Sequence, residues 1–494
     1  MAGGSALLAR RIDLRRFRPR SGARGHVIAM TAPFPALKIW QFLRNCLLAL
    51  VLMPLMAQPV LAQSILRDAE TEALLDEMSA PLIRAAGLVP RDVKIVLVND
   101  SSINAFVAGG QIVYVHSGLI TSANNANEVQ GVIAHELGHV AGGHVISSEA
   151  GIKQATNITI LSLLLGAAAI AAGAGEAGAG IFAAGQQAAL GKFLAFNRTQ
   201  ESSADAAGAR YLAAAGVSGR GSIAFFKRLQ NIEFRYSVPQ EDSFGRTHPL
   251  TGERITVLEE KYRSDPAWDA KTDPALEARF QRVRAKLVGF VSEPKQTLIT
   301  YPATNQTVPA RYARAYALHK SAYPELALQE TDALLRTAPN DPYFLELKGQ
   351  ILLESGRPIE ALPLLRQAVS VTNNQPLIAG TFGHALIATE DKANYPEALK
   401  VLRAAVSKDN ENPFAWYQLG VVYAQNGDDA RAALATAEHY NLRGQPRLAL
   451  ANATKAMEGI PVNTPDWIRA QDISLVSEAA LDDGRRRKKK PKNE

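Results

Sequence analysis

The sequence predicts an α+β domain, mainly helical with a small sheet, followed by an all-α repeat solenoid. Two observations carry this. Around residues 129–142 the apolar positions recur at helical spacing with polar residues massed on the other side. Beyond about residue 290, Pro309, Pro342, Pro376, Pro413 and Pro446 recur at intervals of 33, 34, 37 and 33, a period that marks stacked helix pairs. The segments on either side of residue 290 are each long enough to bury a core.

The chain opens on a stretch that belongs to export rather than to the fold. Within Leu37–Ala62, Lys38 and Arg44 precede the apolar run Cys46–Met56, and Val60-Leu61-Ala62 stands before Gln63. That order is the n-region, h-region and small-residue cleavage site of a Sec-type signal peptide, so residues 1–62 are set aside and export to the periplasm is expected. Met30 is a plausible start within it. The single cysteine, Cys46, would leave with the peptide, and a cysteine-free mature chain suits an oxidising compartment. The same partition removes a misleading signal. Of the net charge of +7, residues 1–62 contribute +8 and residues 485–494 contribute +6, leaving 63–484 at −7. A mildly acidic body argues against a nucleic-acid partner.

Residues 63–290 are expected to form the first domain, and the chemistry concentrates in His135-Glu136-Leu137-Gly138-His139. Residues i and i+4 of a helix share a face, so both imidazoles can reach one metal ion, and Glu136 stands beside them as a general base for water. Val129, Ile133, Leu137 and Val140 form the apolar stripe; Asn124, Asn125 and Asn127 offer a cap, and Gly142-Gly143 a stop. A third ligand is needed. His144 lies one position short of the H-E-x-x-H-x-x-G-x-x-H pattern, where Val145 stands instead. Glu201 is favoured, because Asp205 shares its helix face at i+4 and could orient a ligating imidazole. His248, presented before Pro249 and upstream of Arg254, is a candidate to face the metal as a fourth ligand or oxyanion stabiliser.

H-E-L-G-H, then Glu201-Ser202-Ser203-Ala204-Asp205, then Thr247-His248-Pro249 with Arg254 downstream resembles the M48 zinc metallopeptidases. The Asn104-Ala105-Phe106 run before a Gly-Gly turn and the strand Gln111–His116 match as well, so the likeness covers roughly residues 65–290. The resemblance implies a zincin-like (gluzincin) fold and one Zn2+ per chain held by His135, His139 and Glu201. It also implies Glu136 as catalytic base and endopeptidase activity, with His248 near the zinc where it could gate it. His248 or Arg254 would then stabilise the oxyanion. It further implies an edge strand at Gln111–His116, where Asn104, Gln111, Ile112 and Val113 would pair with an extended substrate.

Inside this domain, residues 154–196 are apolar and rich in Gly and Ala. They read as a helical hairpin that lids the cleft or dips into a membrane surface, with buried core and a true span as the other readings. After a linker at 291–308, residues 309–472 resemble tetratricopeptide repeats, with about three extra residues near Asp391–Asn394. A basic tail, 473–494, is expected to be disordered. Signal peptide, M48-like domain and repeats together are similar to envelope proteases that police outer-membrane proteins. The implied partners are unfolded or misassembled envelope proteins and, through the repeats, outer-membrane assembly machinery. A repeat-based chaperone with gated proteolysis and a membrane-embedded protease are the competing readings.

Overall fold

The computed structural model describes residues 65–171, 174–236, 248–249 and 251–489. The proposed signal peptide, Cys46, Arg246, Thr247 and the last residues of the tail lie outside them. Chain order begins α1 (Ala69–Ala85), β1 (Lys94–Val98), β2 (Ala105–Ala108), β3 (Ile112–His116), α2 (Ser117–Ser122) and α3 (Ala126–Ala141). It continues with α4 (His144–Ala171), α5 (Gly175–Ala214), α6 (Arg220–Tyr236), α7 (Gly252–Arg263) and α8 (Pro274–Val291). The helix bearing the two histidines is α3. Asn125 caps it by accepting from Glu128 N, the Glu128 carboxylate returns to Asn124 N, and Gly142 ends it. Asn127 is not a cap: it bridges Ser218 O and Gly221 N. Every residue from Ala126 to His139 is buried, the polar face included, so α3 is the central helix of its domain rather than a surface helix.

The sheet has three strands in the order β1-β3-β2, with β1 parallel and β2 antiparallel to β3. This overturns the edge-strand expectation for Gln111–His116. Gly109 and Gly110, both at positive φ, turn the chain so that β3 folds back along β2, while β1 takes its other side. Both backbone edges of β3 are thereby used, and Val113 is fully buried, so Gln111, Ile112 and Val113 are removed as substrate contacts. The outer edge belongs to β2, directly after Asn104.

The second half is a helical solenoid: α9 (Pro294–Thr300), α10 (Val308–Lys320), α11 (Pro324–Thr337), α12 (Pro342–Glu354), α13 (Pro358–Val371) and α14 (Pro376–Ala388), then α15 (Tyr395–Lys408), α16 (Pro413–Gln425), α17 (Asp429–Leu442), α18 (Pro446–Gly459) and α19 (Pro465–Lys489). Each periodic proline sits in the first turn of the first helix of a pair, where its missing N–H costs nothing. The three extra residues form a short 3-10 turn, Lys392–Asn394. Two expectations change here. The 291–308 linker contains α9 with Thr297 buried, and the supposedly disordered tail is helical to Lys489, because Ala470 and Ile473 of α19 pack on α18 and α17.

The hairpin is α4 and α5, antiparallel and closely packed. Gly166 abuts Gly178, Ser162 abuts Gly185 and Phe196 covers Gly151. It is neither buried core nor a closed lid: Leu161, Leu163, Leu164 and Leu165 are each more than half exposed. Only the far half of α5, from Glu201 on, packs into the domain, against α3.

Candidate metal centre

Two glycines bring the site's two helices together. A Cβ on Gly138 would lie 2.6 Å from the Ala204 carbonyl oxygen, and one on Gly208 3.0 Å from that of Ala134. The backbones of α3 and α5 therefore touch, and that contact delivers Glu201 and Asp205 to the histidines. His248, in the short described piece 248–249, joins the same cluster.

The result is a cluster of His135, His139, Glu201 and His248, all buried, whose donor atoms lie within 4.8 Å of one another. His135 Nε2 is 3.2 Å from His139 Nε2, 3.1 Å from His248 Nδ1 and 3.4 Å from Glu201 Oε2. Glu201 Oε1 is 3.3 Å from His139 Nε2 and 3.0 Å from His248 Nδ1. A tetrahedral zinc with bonds of roughly 2.0–2.1 Å separates its ligand atoms by about 3.3–3.4 Å. Four edges among His135 Nε2, His139 Nε2, His248 Nδ1 and Glu201 Oε1 thus already have nearly the size such an ion requires. Both Glu136 carboxylate oxygens are buried with no hydrogen-bond partner among the described residues, and Oε1 lies 3.4 Å from His248 Nε2. An unsatisfied buried carboxylate at the rim of a cation-sized donor set is the position of a base awaiting a ligand.

The surroundings orient these donors. Asp205 Oδ1 lies 3.0 Å from His135 Nδ1, so the ring donates there and turns Nε2 towards the centre. His144, which opens α4, places Nδ1 2.9 Å from His139 Nδ1, and Gln200 reaches back to Ser147 Oγ at 2.8 Å. His144, one position short of the longer histidine pattern in the sequence, thus supports a donor rather than serving as one. Arg254 departs from its expected role at the oxyanion. Its Nε and Nη2 bind Asp205 at 2.5 and 2.8 Å, Nη1 binds Glu201 Oε2 at 2.9 Å, and Nη1 also reaches the Pro249 carbonyl at 3.0 Å. With its donors so engaged, it braces the two acids rather than facing a carbonyl. His248 lies in the donor set itself.

Electrostatics agree with a cation site. Burial works against charge on His135, but hydrogen bonds with Asp205 and Glu201 outweigh it and raise the ring to about 10. Burial likewise pushes Glu201 up, yet hydrogen bonds from His135, His139 and His248 hold it well below the usual carboxylate range. Asp205 is lowered too, Arg254 and His135 overcoming its burial. Burial dominates for Glu136, which rises to about 7 despite the histidines beside it, and for His139 and His248, which are lowered. Two acids favour positive charge at the centre while two neutral rings offer lone pairs, which is the chemistry a dication seeks.

The sequence pattern of Peptidase family M48 matches residues 67–262, which hold the entire cluster. The chain carries an M48 peptidase domain. A tetratricopeptide (TPR) repeat pattern matches residues 391–427 behind it, and by its family this is a zinc metalloprotease. A "Putative beta-barrel assembly-enhancing protease" of Vibrio cholerae serotype O1 is 30% identical over 220 residues, 44% of this chain and 44% of that protein. The "Beta-barrel assembly-enhancing protease" of Yersinia pestis is 23% identical over 399 residues, 78% of this chain and 79% of the relative. "Metalloprotease LoiP" of Escherichia coli (strain K12) is 30% identical over 181 residues, 36% of this chain and 64% of that one. The likeness to the Yersinia protein runs through both M48 domain and repeats, whereas the Vibrio match spans less than half of either chain.

Proposed function

We propose that this is a zinc-dependent endopeptidase of the bacterial envelope that cleaves misfolded or stalled outer-membrane proteins, with its repeats docking the substrate or the assembly machinery. The observation that carries it is the convergence of His135, His139, Glu201 and His248 beside the buried Glu136 carboxylate, neither of whose oxygens is hydrogen-bonded among the described residues. The names of the relatives, which are beta-barrel assembly-enhancing proteases, support an envelope setting and a connection to outer-membrane β-barrels. Zinc, when bound, supplies the Lewis acidity that acidifies a water and polarises a carbonyl. Everything else is done by the chain. His135, His139 and Glu201 hold one ion, with His248 closing the set at rest. Glu136, raised by burial to about 7, takes a proton from water and hands it to the departing amine. Asp205 fixes His135, and Arg254 fixes Asp205 and Glu201. Moved off the donor set, His248 has a ring N–H able to steady the developing oxyanion. An extended peptide adds to the outer edge of β2, Ala105–Ala108, using main-chain hydrogen bonds that read no side chain.

The test uses Glu136→Gln as a trap. Zinc should remain near one per chain while hydrolysis falls by about 10²–10⁴-fold, and outer-membrane proteins should accumulate on the inactive protein. Capture of those proteins without cleavage of any of them by the unmutated chain would refute the protease reading.

A further inference from the structure

We infer that the α4–α5 hairpin inserts its tip into a lipid bilayer without crossing it and holds the M48 domain at a membrane surface. The exposed apolar surface has the wrong shape for a protein groove. Ile160, Leu161, Leu163, Leu164 and Leu165 are each half or more exposed, and at 100° per residue they sweep an arc of about 200°. Ser162 and Gly166 fill the rest, and these are the residues packed on α5. Every direction not taken by the partner helix is thus apolar. On α5, Ile181, Phe182, Leu190 and Leu194 are exposed as well. A groove-binding helix presents a stripe, whereas a helix apolar all round wants an apolar solvent. The hydroxyls on the arm are satisfied within it, Thr159 donating to the Ala155 carbonyl and Ser162 to that of Thr159, so none needs water.

Charge and length set the depth. Between Lys153 and Lys192 the only charged residue is Glu176. The antiparallel contacts Gly151–Phe196 and Ser162–Gly185 put Lys153 and Lys192 at nearly the same height, where both can meet anionic headgroups. Asn157 on α4 and Gln186-Gln187 on α5 mark where the apolar stretch stops. At 1.5 Å per residue the arm beyond them is roughly 18–24 Å long, short of the ~30 Å hydrocarbon core. Insertion without crossing follows, although Gly151–Ile170 alone has the length and composition of a span. His144 and Glu201 stand at the feet of the two legs, so the donor cluster would sit about 20 Å outside the bilayer. The insertion stands on the hairpin alone and does not depend on the protease reading.

The experiment is flotation of the full chain with vesicles of phosphatidylethanolamine and phosphatidylglycerol. The unmutated protein should rise with the vesicles, and Leu161→Glu with Leu164→Glu should lower the bound fraction by about tenfold or more. Ile359→Glu, more exposed still but on the repeats, should leave it unchanged. Circular dichroism and zinc content should be unaltered in all three. As a second readout, Leu164→Trp should be quenched by lipids brominated on their acyl chains. Failure of the unmutated chain to float overturns the proposal, as does flotation undiminished by the two glutamates. Self-association that those glutamates abolish, with no flotation, assigns the face to a second copy of the chain and overturns it equally.

Discussion

Two buried clusters of charge lie in this chain, and they are built to opposite ends. In the metal centre, the donors crowd around one point and Glu136 faces it with neither carboxylate oxygen hydrogen-bonded among the described residues. At the joint between the M48 domain and the first repeats, each buried cation is answered by acids. Lys286 reaches Asp68 at 2.5 Å and Glu70 at 3.2 Å, Arg282 binds both Glu70 and Asp341, and Tyr312 donates to Glu70 at 2.8 Å. A cluster left short of positive charge is a site, and a cluster balanced within itself is a joint. Burial and charge density alone do not separate the two; the unsatisfied atoms do.

The largest effect expected from breaking this contrast is at the centre. Glu201→Ala removes a donor and the acid that braces the histidines, so zinc affinity should drop by more than the ~100-fold typical of losing a mere supporting group, measured by chelator competition. Retention of zinc in that variant would exclude Glu201 from the ligand set. The joint should answer differently. Lys286→Met leaves buried Asp68 without its cation and Glu70 with Arg282 alone, and should destabilise the chain by about 3–5 kcal/mol in denaturant unfolding. Its zinc content per folded chain should not move; if it fell, the two clusters would be coupled rather than separate.

Most of the metal centre could be read from local spacing, because helical periodicity alone sets His135 beside His139 and Glu201 beside Asp205. The joint could not, since Glu70, Lys286 and Asp341 lie far apart in sequence and look like ordinary solvated charges until the fold buries them. The sheet failed for a related reason. The family resemblance identifies the strand β3, but its neighbours depend on long-range pairing, and β1 came to its free side. Arg254 was found by its place after His248-Pro249, yet its role followed only from seeing its donors spent on Asp205 and Glu201. The repeats were legible throughout, since their prolines mark helix starts by a local rule.

A smaller effect sharpens the division between holding a metal and orienting its holder. Asp205→Asn keeps the shape and an acceptor for His135 Nδ1 but loses the charge and half of its pairing with Arg254. Zinc affinity should weaken by about 10–100-fold, less than for Glu201→Ala, with the fold retained. An equal loss in the two variants would make Asp205 a ligand in its own right.

The smallest expected effect tests whether the joint is fully balanced. Glu346, half-buried on α12, is its one surplus acid: burial pushes it up to about 8, with Lys286 pulling against that and Asp68 and Glu70 adding to it. Its folded pKa therefore lies above the unfolded value of about 4.3. Between those values the folded state binds the extra proton, so stability falls as pH rises towards 8. Glu346→Gln removes that dependence. Its melting temperature relative to the unmutated chain should be near neutral around pH 4 and should climb steadily to pH 8. Asp68 and Glu70 have their cations beside them, so a neutral residue at 346 leaves the balanced core of the joint intact. A flat difference across that range would mean that Glu346 is ionised in the fold at little cost, and that the joint has room for one more negative charge.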